Sequence, residues 1–152
     1  MTKIDARLTE LGITLPAAPA PAANYVPYVQ SGNQLFVSGQ VSAGPDGLIT
    51  GKLGAGASVE DGAAAARRCG LSLIAQAKAA LGDLDRVARV VKLVGFVNST
   101  ADFTDQPKVI NGCSDLMVEV FGDAGRHARS AVSAASLPFG VTVEIEAIFE
   151  VK

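Results

Sequence analysis

The sequence predicts an α+β domain, a sheet with two main helices packed on one of its faces. Two long segments, from Ser58 to about Leu81 and from Pro107 to Gly122, repeat apolar residues at helical spacing. Five shorter runs read as strands, the densest in β-branched residues being RVVKLVGFVN. The order is short helix, arm, β, β, α, β, α, β, β, which is mixed rather than a strict β-α alternation. Two helices can cover only one face of such a sheet. The other face needs a further copy of the chain to keep its valines and alanines from water, so a homo-oligomer is expected.

Each element has its own local cause. Thr2 can cap a short helix whose Ile4, Leu8 and Leu11 form one stripe, with Gly12 as its stop. TLPAAPAPAA then places prolines at 16, 19 and 21, which favours an extended strap. Residues 1–23 are therefore read as a short helix and a Pro/Ala-rich arm, and residues 24–152 as a single domain. NYVPYVQ and QLFVSGQV flank Ser31-Gly32-Asn33 and read as a hairpin. In the second run Leu35, Val37, Gly39 and Val41 are expected on one face, and Phe36, Ser38 and Gln40 on the other. SAGPDGLITGKLGAGA reads as a glycine-rich loop; its Gly54-Ala55-Gly56 lacks the third glycine of a dinucleotide fingerprint. Ser58 opens a capping-box-like S-V-E-D start to the first long helix, whose Val59, Ala63, Ala66, Gly70, Leu73, Ala77 and Ala80 form one stripe before Gly82. Pro107 stands at the head of the second, which carries Val109, Ile110, Cys113, Leu116, Met117 and Val120. The last two strands, HARSAVSAAS and VTVEIEAIFEV, are separated by Leu-Pro-Phe-Gly. Folded as a simple hairpin they would set Arg129 nearer Ile148 than Glu144.

Composition narrows the function. The chain has 152 residues, enough to bury a core, with 49% hydrophobic and 18% charged residues and a mean hydropathy of +0.31. No apolar run approaches the roughly 20 residues of a membrane span. Thirteen basic against fifteen acidic residues give a net charge of -2, with a pI near 5.3 and no basic cluster, which speaks against a nucleic-acid-binding protein. MTKIDARLTELGI lacks the apolar core of a secretory signal, and a cytoplasmic protein is expected. Cys69 and Cys113 have no metal-ligand spacing and read as reduced core thiols.

With one histidine, His127, no catalytic triad can be assembled, and no metal site is legible. A small polar set on apolar elements remains. Arg129 stands among Ala, Ser and Val, where its fork of donors suits a carboxylate; pairing with a strand Glu is the alternative. Glu144 and Glu146 share one face of their strand, either solvated or available for acid-base work. Tyr28 and Ser38 are turn or ligand hydroxyls, Asn111 needs a partner from backbone or substrate, and His127 reads as a rim residue.

ARSAVSAASLPFGVTVEIEAI, together with PYVQ, FVSGQV and DFTDQPKVING, resembles the RidA/YjgF family, also labelled endoribonuclease L-PSP-like. The resemblance covers about residues 24–152. It implies a chorismate-mutase-like fold, a homotrimer with ligand clefts between subunits, and hydrolysis of reactive enamines and imines such as 2-aminoacrylate to a 2-keto acid and ammonia, without metal or organic cofactor. By position, Arg129 matches the carboxylate clamp and Glu144 the glutamate near the attacking water, while Tyr28, Ser38 and Asn111 match cleft residues. Ala131 stands where the family usually has a cysteine, so a contact there would use its backbone. His127 replaces the usual proline, DQPK looks inserted, and the N-terminus is longer. A non-catalytic binder of small carboxylates such as 2-keto acids is the alternative function, and a ribonuclease or translation inhibitor a third.

Overall fold

The computed structural model describes residues 2–152. Helix α1 (Lys3–Glu10) begins as its sequence dictates: the Thr2 hydroxyl accepts the Asp5 N–H, and Gly12 follows the helix at φ 70°. The Asp85 carboxylate accepts the otherwise orphaned N–H groups of Lys3 at 2.9 Å and Ile4 at 2.8 Å, pinning the helix to the domain. Leu8 is buried, and Ile4, Leu11, Ile13 and Leu15 pack against the main core. The arm beyond carries neither helix nor strand; buried Gln76 holds it by donating from Nε2 to the Pro19 carbonyl at 2.6 Å.

Strands β1 (Tyr28–Ser31) and β2 (Gln34–Val41) form the expected hairpin, with Gly32 at φ 59° in the turn. The first strand starts at Tyr28, later than NYVPYVQ suggested, since Pro27 has no N–H to give a ladder. The expected faces of β2 hold through Val37 and then invert. A bulge between Val37 and Gln40 puts Gln40 on the buried side and leaves Val41 half-buried. The glycine-rich segment is not all loop either: β3 (Ala43–Gly44) and β4 (Gly47–Leu48) pair as a small hairpin.

Helix α2 (Val59–Leu81) has the capping box, Ser58 and Asp61 exchanging hydrogen bonds at 3.1 and 3.0 Å, and ends at left-handed Gly82. Its apolar surface is wider than one stripe, with every residue from 69 to 77 buried. The sheet covers one side, α3 (Gln106–Phe121) another, and the arm a third. α2 and α3 approach closely where Gly112 faces the Ala63 backbone, leaving no room for a Cβ. Gly112→Ala is therefore expected to cost about 1–3 kcal/mol through overpacking against a main chain that cannot swing aside. In a domain of this size each kcal/mol lowers the melting temperature by about 2–4 °C. A melting curve unchanged from wild type, with exposed Ala64→Ser as the control, would contradict that packing.

Strands β5 (Val87–Asn98), β6 (Ala128–Ala134) and β7 (Val143–Val151) complete a five-stranded mixed sheet of order β1-β2-β7-β5-β6. Every pair is antiparallel except β5 and β6, which run parallel because α3 carries the chain back to the starting edge. A simple hairpin about Leu-Pro-Phe-Gly does not form. β7 skips across β5 to pair with β2, and the connection turns through left-handed Phe139 (φ 60°) and Gly140. Both helices lie on one face of the sheet, over Leu35, Leu93, Val97, Ile145 and Phe149. The other face is open: Phe36 and Val132 are 40% and 45% exposed, beside half-buried Val94, Phe96 and Ile148.

Candidate functional site

Arg129 reaches from edge strand β6 to α3. Its Nη1 donates to Asn111 Oδ1 at 2.8 Å and to Ser114 Oγ at 3.0 Å, and Nη2 donates to the Pro107 carbonyl at 3.1 Å. All three acceptors come from α3, where Asn111 and Ser114 are one helical turn apart. Among the described residues the only ion pairs lie elsewhere, so no carboxylate neutralises this guanidinium. Of its five N–H groups these bonds use three, leaving Nε–H and one N–H of Nη2 as donors for a ligand. The Asn111 partner left open by the sequence is thus Arg129 itself.

Next to it, His127 Nδ1 lies 2.6 Å from the Gly125 carbonyl and Nε2 lies 2.8 Å from Ser114 Oγ. A carbonyl can only accept, so in the neutral ring Nδ1 carries the hydrogen and Nε2 accepts the Ser114 hydroxyl. Burial lowers the His127 pKa, and the nearby Arg129 charge lowers it further. Asn111, Ser114, Asp115, Arg126, His127 and Arg129 line an open hollow of about 340 Å³. Ser114 was not singled out by sequence reasoning; its one-turn spacing from Asn111 was the available signal.

Glu144 sits in a second hollow of about 820 Å³, walled by arm residues, Tyr25, Phe139, Ser38 and Glu146. Burial raises the Glu144 pKa, and the charge of Glu146 raises it further. Its carboxylate lies directly over the bulged Gly39, where a Cβ would collide with it. The bulge and the glycine together make the space that the carboxylate occupies.

Within one protomer the two hollows do not meet. Glu144 aligns with Phe96, and Phe96 with Val132, all on the open face. Arg129 aligns with buried Leu93 and points to the helix side. Of the other candidates, Ser38 lines the Glu144 hollow and Asn111 the Arg129 hollow, while Tyr28 and Ala131 line neither. The Ser38 hydroxyl donates to the Val26 carbonyl at 2.8 Å, leaving its oxygen only as an acceptor. Tyr28 aligns with buried Val37 and packs against the core, as does Ala131 on β6. Both cysteines are buried free thiols; burial pushes Cys113 up to about 12 and Cys69 well above its ordinary value, so neither is a ready nucleophile.

Residues 5–149 match the model of a protein family described as "YjgF/chorismate_mutase-like, putative endoribonuclease". Protein TCP17 of Trypanosoma cruzi is 57% identical over 150 residues, covering 97% of this chain and 94% of that protein. The mouse 2-iminobutanoate/2-iminopropanoate deaminase is 32% identical over 136 residues, covering 90% of this chain and 87% of the enzyme. The crystal structure of an Agrobacterium tumefaciens protein with unknown function superposes with a TM-score of 0.90 at 50% identity, covering 98% of this chain and 92% of that one. A family model spanning nearly the whole chain and agreeing with its mixed α+β sheet leaves one conclusion: this chain belongs to the YjgF/chorismate-mutase-like family.

Proposed function

We propose that the protein hydrolyses small enamines and imines bearing a carboxylate, of the 2-aminoacrylate type, to the 2-keto acid and ammonia. The observation that carries this is Arg129: a guanidinium held by three bonds to α3, without a carboxylate partner, and with two N–H groups left over. That is the donor set a carboxylate takes. Family membership and the 32% identity to a named imine deaminase support the same chemistry.

In this reading Arg129 and the adjacent Asn111 amide hold the substrate carboxylate. A proton from solvent adds at carbon and converts the enamine to the iminium; water adds to the iminium carbon with loss of a proton, and the carbinolamine collapses to the keto acid as its hydroxyl proton passes to the departing ammonia. Glu144 orients the water and takes its proton, which suits a carboxyl made more basic by burial and by the charge of Glu146. Since Arg129 and Glu144 lie on opposite faces of one sheet, the complete site joins two copies. The apolar open face is the surface on which neighbouring copies pack, in a homotrimer that turns the Glu144 hollow of one copy toward the Arg129 hollow of the next.

The test is ammonia release from 2-aminoacrylate generated in situ, with and without purified protein. Acceleration above the spontaneous rate is expected. A carboxylate that raises the melting temperature without any turnover would replace catalysis by binding alone, and salt-sensitive RNA cleavage would reinstate the nuclease reading.

A further inference from the structure

The Ser114–His127 pair is left over once Arg129 and Glu144 have been given their roles. Ser114 Oγ receives one hydrogen from Arg129 Nη1 at 3.0 Å, and its own hydrogen points to His127 Nε2 at 2.8 Å. With His127 neutral, the serine therefore offers no donor to a ligand on Arg129. Were Nε2 to gain a proton, Nε2–H would donate to Ser114 Oγ in place of accepting from it. The serine would then accept twice, from Arg129 and His127, and its hydroxyl hydrogen would be released toward the hollow. The Gly125 carbonyl at 2.6 Å from Nδ1 is satisfied in both states, so the ring need not move.

Resting on the carboxylate-clamp reading above, we propose that Ser114 and His127 form a proton-linked second anion contact beside Arg129. A ligand carboxylate arriving on the guanidinium offsets the Arg129 charge, which adds to burial in holding His127 neutral. The ring takes one proton from solvent at Nε2, and the Ser114 hydroxyl turns to donate to the ligand. The ligand is then held by Ser114 O–H in addition to Arg129 Nε–H, one Nη2–H and the Asn111 amide, and binding and protonation assist each other by linkage. The charged groups around the ring favour an anion. α3 supplies Asp115; the segment of His127 itself supplies Arg126, Asp123 and Arg129; and β5 supplies Arg89, whose Nη2 donates to the Arg126 carbonyl at 2.7 Å. Asp123 is paired with Arg126 at 3.5 Å, so the balance is positive. Ser114 is a binding residue in this scheme and His127 a positioning residue that acts through it: together they tune how firmly and at what pH the carboxylate is held, with no covalent bond to carbon made or broken in them.

The experiment is calorimetric titration of the full-length protein with pyruvate between pH 5.5 and 8, in buffers of differing ionisation enthalpy. Wild type is expected to take up a fraction of a proton per pyruvate bound and to lose affinity as pH rises, by up to tenfold per pH unit between the titration of the free protein and that of the complex. His127→Gln is expected to bind with no proton uptake and a flat profile, and Ser114→Ala to keep the uptake while binding about tenfold more weakly. Wild-type binding with no proton uptake, or a pH profile shared with His127→Gln, overturns the proton link while leaving the Arg129 clamp in place. Absence of pyruvate binding to wild type at every pH overturns the clamp and this contact with it.

Discussion

Replacing Arg129 by Ala is expected to lower kcat/KM for 2-aminoacrylate by about 10²–10³-fold, the loss of roughly 3–4 kcal/mol from two charge-assisted hydrogen bonds to one carboxylate. Arg129→Lys is expected to recover little. An ammonium is a point donor on a flexible stem and cannot hold Asn111, Ser114 and the Pro107 carbonyl while also presenting two N–H groups to a ligand. The same three bonds tie edge strand β6 to α3, so Arg129→Ala also lowers the melting temperature. Measuring pyruvate binding at a temperature where the variant is fully folded separates the two effects. Equal kcat/KM for the folded variant and wild type would remove Arg129 from the reaction.

Glu144→Gln is expected to lower kcat by about 10²–10⁴-fold, the usual contribution of a positioned general base. Gln fits over Gly39 as Glu does, so the fold is retained while the proton acceptor is lost. The pH dependence of kcat supplies the second half of the test. Glu144 must be ionised to accept a proton from water, so activity falls as pH drops through its folded-state pKa. Burial first and the charge of Glu146 second raise that value above the ordinary 4.5. The acidic limb of kcat therefore lies above that of an unperturbed glutamate, and Glu146→Gln moves it toward lower pH. Stability runs with the opposite sign. The folded state binds the Glu144 proton more readily than the unfolded chain does, so the stability this proton confers is complete below the ordinary pKa. It is lost as pH rises through the raised one. A wild-type acidic limb unmoved by Glu146→Gln, or a Glu144→Gln variant with full kcat, would sink the assignment.

The covered face of the sheet illustrates how far local signals reach. α1, α2 and α3 begin and end where Thr2, Ser58, Pro107, Gly12, Gly82 and Gly122 indicate. Caps and helical period are written within about four residues, so the ends of a helix are legible locally even though packing supplies most of its stability. β5 was equally plain, because a strand buried between two neighbours has to be rich in β-branched residues. The bulge in β2 was not. Ser38-Gly39 looks like ordinary alternation until Glu144, more than a hundred residues later, takes the space above the glycine.

The candidate site divides along the same line. By itself, the sequence determined that Arg129 stands among small residues with a fork suited to a carboxylate, and that Glu144 and Glu146 share a face. These facts follow from side-chain chemistry and from the period of two in a strand. Only the tertiary structure decided that β6 joins the sheet parallel to β5 while β7 lies beyond it, which sends Arg129 and Glu144 to opposite faces. It also decided that Asn111, Ser114 and His127 converge on the guanidinium. Strand partners are chosen by which pairing buries the most apolar surface across the whole sheet, a sum over distant residues, and no stretch of local sequence contains it.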